Sequence, residues 1–296
     1  MYQKSFQALI DNSTARRPVM LNFTQDGIRQ AMLKIIDNVN IDEPLKVLGI
    51  GSGSGEGDLL ILQTMADFIV SQKKKPPTYT INNVIVEPSS LLLNQFKMKA
   101  SSLPLSLESA ANVSFQWQQK TFSEFSQETT IEKNSFDFIH FVHSLYYLDM
   151  EGALRTCFEQ WLKAGHGVMV GYVQTEDSYF GKVSKSFKGK LSCGSEAMSF
   201  YTNQEVAAIA EKNAWRYSMP VKEQFHINVT ACLREPTPSE ADLLYIDFLT
   251  QQQKLRANAE QELFKSWVEM IGSLVFADDS GEKFVKVEAA AVIIHK

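Results

Sequence analysis

Leu45-Lys46-Val47-Leu48-Gly49-Ile50-Gly51-Ser52-Gly53-Ser54-Gly55-Glu56-Gly57-Asp58 is the stretch whose reading decides the fold. Leu45 to Ile50 form an apolar run of the length of a buried strand. Glycines then stand at 51, 53, 55 and 57. Without a Cβ, glycine lets the backbone approach a ligand closely and take left-handed conformations. A helical pattern resumes through Leu59, Leu60, Leu62 and Met65. Strand, glycine-rich turn and helix make up the opening unit of a nucleoside-binding α/β domain.

The choice of ligand follows from spacing and charge. A dinucleotide fingerprint needs GxGxxG. Counted from Gly51, the third glycine position holds Glu56; counted from Gly53, it holds Asp58. Both registers fail. A pyrophosphate also wants the positive end of a helix with no anion beside it, whereas Glu56 and Asp58 open this helix, where they suit the macrodipole and repel phosphate. S-adenosylmethionine has no phosphate and carries a sulfonium and an ammonium group. The loop therefore favours S-adenosylmethionine over NAD and argues against an NAD-dependent oxidoreductase. A second strand, Asn83-Val84-Ile85-Val86, stops at Glu87-Pro88, because proline cannot donate to a ladder. An acidic residue there can hold ribose hydroxyls through charge-assisted hydrogen bonds. Ser89 or Ser90 can cap the next helix.

Outward from this centre, Val113 to Trp117, Phe136 to Val142 and Val168 to Val173 read as further strands, with helices between them. Strands alternating with helices predict a mostly parallel sheet covered on both faces. The fold expected is a Rossmann-like α/β domain with seven strands and a smaller substrate-binding subdomain. Residues 1–42 have helical spacing and read as an N-terminal lid, and 43–175 as the core. Residues 176–286 read as the subdomain and 287–296 as a final core strand. Within the subdomain, residues 174–200 are rich in Ser, Lys and Gly with no clear period. Thr202 to Asn213 reads as a helix, Phe225 to Leu233 as a strand and 239–271 as helical.

Composition narrows the function class. Apolar residues make up 44% of the chain and the formal charge is −5, which fits a packed core and speaks against a nucleic-acid partner. The basic run Lys73-Lys74-Lys75 is too short to change that. Three cysteines, Cys157, Cys193 and Cys232, have no metal-ligand spacing, and no metal is expected. No segment has the apolar length of a membrane span or a secretion signal. The expectation is a cytoplasmic protein.

The glycine loop with Glu56 and Asp58, the segment Ile81-Asn82-Asn83 leading to Val86-Glu87-Pro88-Ser89, the run Phe136-Asp137-Phe138-Ile139-His140 and the triplet Leu145-Tyr146-Tyr147 together resemble the histamine N-methyltransferase family. Leu243-Leu244 and Asp247-Phe248-Leu249-Thr250 add a C-terminal match. The resemblance implies a class I methyltransferase that converts S-adenosylmethionine to S-adenosylhomocysteine and acts, as a monomer, on a small molecule. It implies cofactor contacts from Gly51, Ser52, Gly53, Gly55, Glu87, Pro88, Thr121, Phe122 and Val142. Leu92 and Phe122 stand where the family has a glutamine and a serine. For the acceptor it implies an aromatic lining from Tyr146, Tyr147, Phe180 and Phe248, with Tyr2 and Phe6 as lid residues and Met198 as a further contact.

The family's substrate-side polar residues are altered. Ala15 aligns with its acidic partner for the substrate ammonium, Val287 with its amide near the C-terminus, and His143 with a glutamine that meets the imidazole. An ammonium buried without its carboxylate costs several kcal/mol, about the penalty of an unpaired buried charge. Histamine is therefore expected to be a poor acceptor. Arg16 and Arg17 would suit a carboxylate-bearing imidazole such as histidine or carnosine. His143 has the side chain whose unperturbed pKa suits a general base, or it orients the acceptor by hydrogen bonding. His140 reads as structural. O- or S-methylation, and a non-catalytic protein that keeps the cofactor site, are the alternatives.

Overall fold

The computed structural model describes residues 2–14, 16–38, 40, 42–73, 79–128, 131–187, 201–233, 239–250 and 261–296. The chain divides into two compact units. A core unit holds Met20–Val173, Asn203–Lys222 and Ala290–Lys296; a second unit holds Met1–Val19, Gln174–Thr202 and Glu223–Ala289. Helices α1 (Tyr2–Asp11), α2 (Arg16–Asn22) and α3 (Arg29–Ile35) open the chain, with a wider π turn at Phe23–Ile28.

Strand β1 (Leu45–Ile50) is followed by α4 (Glu56–Lys73), β2 (Tyr79–Val86), α5 (Ser90–Ala100), α6 (Leu105–Ala110) and β3 (Ala111–Gln118). Then come α7 (Phe122–Ser126), β4 (Phe138–Val142), α8 (Met150–Thr156) and β5 (Val168–Gln174). Strand β1 pairs in parallel with β2 on one side and with β4 on the other. Strand β3 continues beyond β2, and β5 beyond β4, again in parallel. The chain thus builds outward from β1 in one direction and then, from β4, in the other. Such a reversal opens a crevice at the carboxyl ends of the two central strands, where ligands bind in open α/β sheets.

The later strands are β6 (Arg216–Asn228), β7 (Phe276–Ala277) and β8 (Lys283–His295). The full strand order is β3-β2-β1-β4-β5-β8-β6, with β7 on β8. Every residue of β5 is buried, and β1 is nearly so, as in strands covered on both faces. Phe23 stacks on Tyr172 of β5 at 4.0 Å, which ties the π turn to the sheet.

In the second unit, residues 12–14 pair with the 226–228 end of β6: Thr14 N donates to the His226 carbonyl at 2.8 Å and Asn228 N to the Asn12 carbonyl at 2.9 Å. Its helices include α9 (Tyr179–Phe187), α11 (Glu240–Thr250) and α12 (Gln261–Leu274); α10 (Asn203–Lys212) belongs to the core. A buried polar chain joins three of these segments. Trp267 Nε1 donates to Tyr179 Oη at 2.8 Å, and Tyr179 Oη donates to the Leu249 carbonyl at 3.0 Å.

Several segments differ from the sequence expectation. Strand β2 starts at Tyr79 rather than Asn83, and β8 at Lys283 rather than 287. The strand expected at 225–233 is Arg216–Asn228, and Ala231–Leu233 is a 3-10 turn. Pro220 hides the first half of that strand. It is tolerated because β6 is the last strand in the order, where a missing N–H breaks no inner ladder. The stretch without a period contains α9, whose Tyr179, Phe180, Val183 and Phe187 are buried at helical spacing. Strand β4 begins at Phe138 rather than Phe136, which makes only an isolated bridge to Leu162.

Candidate active site

The carboxyl ends of β1 and β4 meet at the glycine loop. Gly51, Gly53 and Gly55 all have positive φ, at 68°, 57° and 80°, a region L side chains avoid. The three are glycine for different reasons. A Cβ on Gly51 would lie 2.5 Å from Ser144 Cβ, and one on Gly55 would overlap the Phe96 ring. At Gly53 no described atom beyond its own chain neighbours lies within 4 Å of where a Cβ would be, so the loop presents bare backbone to open space there. Gly57 lies inside α4, where a Cβ would make ordinary contacts with Val142 and Met20.

Neighbouring strands hold the loop in place. Gly51 N donates to the Val86 carbonyl at 2.8 Å, and Ser144 Oγ donates to the Ile50 carbonyl at 2.6 Å. Glu87, buried at the end of β2, accepts from Gly53 N through Oε2 and from Ser89 N through Oε1, both at 2.8 Å. Its carboxylate therefore faces the loop. Pro88 is exposed, and Ser89 caps α5 by accepting from Leu92 N. The Gln118 carbonyl accepts from Glu87 N and Lys120 N, each at 3.0 Å, so the turn into Thr121 starts beside Glu87. Thr121 caps α7 in a capping box with Glu124, and the Phe122 ring lies 5.7 Å from Trp161.

Behind the loop sits a polar cluster that the sequence reading did not single out. Asp58, in the first turn of α4, points into the protein. Ser52 Oγ donates to Asp58 Oδ1 at 2.8 Å, and His140 Nε2 stands 3.4 Å from the same oxygen, with both side chains 2% exposed. Burial pushes the Asp58 carboxyl up to about 7, against the Ser52 hydrogen bond, and Glu87 adds to the rise. Burial pushes His140 down to about 3. The contact therefore joins a neutral imidazole to a carboxyl group and is not an ion pair. A signal for the cluster was present in the sequence: Gly49 interrupts an apolar strand, a usual mark of close approach by another group.

At the end of β4, His143 has φ 52°. Its N–H donates to the Tyr172 carbonyl at 2.9 Å, its ring meets Tyr172 edge-on at 4.9 Å, and Nδ1 lies 3.3 Å from Tyr146 Oη. Tyr146 is buried and Tyr147 is 50% exposed. The core unit thus brings Gly51, Ser52, Gly53, Gly55, Glu87, Val142, His143 and Tyr146 to the carboxyl ends of its central strands. Within the second unit the Phe248 ring lies 5.6 Å from Phe6 and 6.2 Å from Phe180. Val287 is fully buried in β8. Ala15 and Met198, and the side chains of Tyr2, Arg16 and Arg17, lie outside the described residues.

These residues fit a nucleoside cofactor with a cationic end. Open backbone stands at Gly53 and a carboxylate at the end of β2. Lys99, which reaches the loop from α5, is engaged by Glu56 at 3.1 Å and Ser54 at 3.3 Å.

No family model matches the chain. It is 30% identical to histamine N-methyltransferase A of Xenopus laevis over 266 residues, 88% of this chain and 83% of that one. The chain belongs to the histamine N-methyltransferase family. It is an S-adenosylmethionine-dependent methyltransferase, in keeping with a glycine loop unsuited to pyrophosphate. Members that it resembles include histamine N-methyltransferase of Danio rerio, 28% identical over 91% of this chain and 86% of that one. Another relative is carnosine N-methyltransferase 2 of Gallus gallus, 26% identical over 84% of this chain and 72% of that one. Among solved structures, a loganic acid methyltransferase with SAH superposes with a TM-score of 0.54 at 12% identity, covering 94% of this chain and 93% of that one. That likeness bears out the Rossmann-like class I fold.

Proposed function

We propose that this family member methylates a nitrogen of a small amine or imidazole acceptor and that histamine is a poor acceptor. His143 carries the reading. A non-glycine residue at positive φ holds about 1–3 kcal/mol of strain, of a kind that gathers at functional sites. Here the strained residue is an imidazole at the carboxyl end of a central strand, beside Tyr146 and next to the glycine loop. The names of the relatives, histamine and carnosine N-methyltransferases, support a nitrogen acceptor with an imidazole ring. The alanine at position 15, where the family has an acid, supports the exclusion of histamine, since a bound ammonium would lose its partner.

S-adenosylmethionine supplies an electrophilic methyl group on a positively charged sulfur. The loop backbone from Gly51 to Gly55 and Glu87 bind that cofactor, with Ser52, Pro88, Thr121, Phe122 and Val142 as further contacts. His143 takes the proton from an alkylammonium acceptor, or accepts the N–H of a neutral imidazole so that the other ring nitrogen presents its lone pair. Tyr146, bonded to Nδ1, orients the histidine ring. Phe6, Phe180, Phe248 and Tyr147 are proposed acceptor contacts, since aromatic faces suit both a ring and a cation. Alignment of donor and acceptor is worth about 7–11 kcal/mol in such a displacement. We further propose a monomer acting on a soluble acceptor in the cytoplasm. Among the described residues no helix is long and apolar enough to cross a membrane, and no group of three or more His, Cys, Asp and Glu could hold a metal.

The test is incubation with S-adenosylmethionine and a panel of histamine, histidine, carnosine and several amines, read by mass spectrometry for products heavier by one methyl group. Methylation of a carboxylate-bearing imidazole or another amine, with histamine left behind, supports the reading. Efficient methylation of histamine overturns its substrate half. Cofactor binding with no product from any acceptor favours a non-catalytic protein.

A further inference from the structure

Gly49 makes no turn. It lies inside β1, opposite Ile85 on β2 and His140 on β4. Glycine inside a strand gives up packing and costs backbone entropy. What it allows here is specific: a Cβ at this position would stand 2.5 Å from Asp58 Oδ1, 2.6 Å from Ser52 Oγ and 2.9 Å from His140 Cε1. The missing side chain is the space in which a loop residue, a residue of α4 and a residue of β4 come together. A buried carboxyl normally has a cation or several donors to hold it. The groups that bear on Asp58 are the Ser52 hydroxyl, its own backbone N–H, the imidazole of His140 from β4 and, at longer range, the Glu87 carboxylate from β2. None of these is a cation. Glu56 on the same helix is paired with Lys99 of α5. His140 Nδ1 is buried without a hydrogen-bond partner among the described residues.

We propose that Asp58 is a positioning residue for the cofactor loop: seated in the space left by Gly49 and bonded by Ser52, its carboxylate sets the loop conformation and puts a negative charge behind it, making S-adenosylmethionine affinity pH-dependent. The proposal rests on the assignment of this loop as the cofactor site. Because burial raises Asp58 to about 7, the charge is present only above that pH. A cationic ligand binds the carboxylate form more tightly, so affinity rises with pH and levels off above the Asp58 midpoint. Below it the neutral carboxyl attracts no cation, and its own O–H competes for Ser52 and His140.

Calorimetric titration of S-adenosylmethionine and S-adenosylhomocysteine, from about pH 5.5 to about pH 8.5, tests this. The wild-type affinity for S-adenosylmethionine is expected to rise about tenfold, the energy of one shifted pKa unit. S-adenosylhomocysteine, which has the same amine but no sulfonium charge, gains less. Asp58→Asn keeps the shape and the Ser52 acceptor and gives a flat profile. Ser52→Ala weakens both ligands but keeps the slope. Carboxyl carbon NMR provides a reading that needs no variant: Asp58 titrates near 7 and moves to lower pH on S-adenosylmethionine binding. A wild-type profile as flat as that of Asp58→Asn, an Asp58→Asn profile as steep as wild type, or a carboxyl that titrates below about 5 overturns the proposal. Absence of any S-adenosylmethionine binding across the range would instead overturn the cofactor assignment on which it rests.

Discussion

Two aspartates are buried at opposite ends of the central strand pair, Asp58 in the first turn of α4 and Asp137 just before β4, and they are held in opposite ways. Asp137, at the amino end of β4, is 8% exposed and meets a cation: Lys163 Nζ donates to Oδ1 at 2.7 Å and Lys46 N to Oδ2 at 2.8 Å. The backbone adds Asp137 N to the Lys46 carbonyl at 2.9 Å. Asp58, at the carboxyl end, meets among the described residues a hydroxyl, its own amide and a neutral imidazole. The amino end locks β1 to β4. The carboxyl end keeps a poorly compensated charge where the chain reverses direction and ligands bind. Burial alone therefore does not separate the two carboxylates; the proposed role of Asp58 rests on burial with no cation among the described residues, beside open backbone.

The largest difference between the two carboxylates is expected in the pH dependence of stability. A carboxyl raised in the folded state binds its proton there when the unfolded chain has already lost its own. Stability from this group is therefore highest below about 4, falls as pH rises to about 7 and is level above that. The span is on the order of 4 kcal/mol. The difference in unfolding free energy between wild type and Asp58→Asn, followed by denaturant titration across this range, should show that slope. Asp137→Ala is next. It leaves the Lys46 amide and Lys163 without their acceptor and should cost about 2–4 kcal/mol, while the S-adenosylmethionine affinity of the folded fraction stays unchanged. Gly49→Ala should cost about 1–3 kcal/mol by overpacking. Unlike Asp137→Ala, it should also weaken S-adenosylmethionine, because it displaces Asp58 and Ser52. A Gly49→Ala protein with wild-type cofactor affinity would remove the link between the strand glycine and the loop.

Much of this molecule was legible in its sequence, and the illegible parts share a cause. The unit from Leu45 to Asp58 declared itself because an apolar run, alternating glycines and a helical period are all local signals. The break at Glu87-Pro88 and the Ser89 cap were legible for the same reason. Strand β6 was read late because Pro220 and its exposed, mixed first half give no clean alternation. Helix α9 was obscured by Ser, Lys and Gly around it, though Tyr179, Phe180, Val183 and Phe187 do keep a helical face. The direction of Asp58 could not be read at all. An acid in the first turn of a helix is the ordinary partner of the macrodipole. Only the tertiary structure places Gly49, Ser52 and His140 so that it turns inward. Ser144 was missed likewise, since its role depends on contact with Gly51 across two strands.

If S-adenosylmethionine sits on the loop at the carboxyl ends of β1 and β4, nitrogen NMR of protein labelled only at its 15 glycines and titrated with S-adenosylmethionine should reveal it. The Gly51, Gly53 and Gly55 signals are expected to move, while that of Gly165, which also has positive φ but precedes the amino end of β5 in the same unit, stays in place. Cofactor binding that leaves the three loop glycines unmoved would contradict that placement.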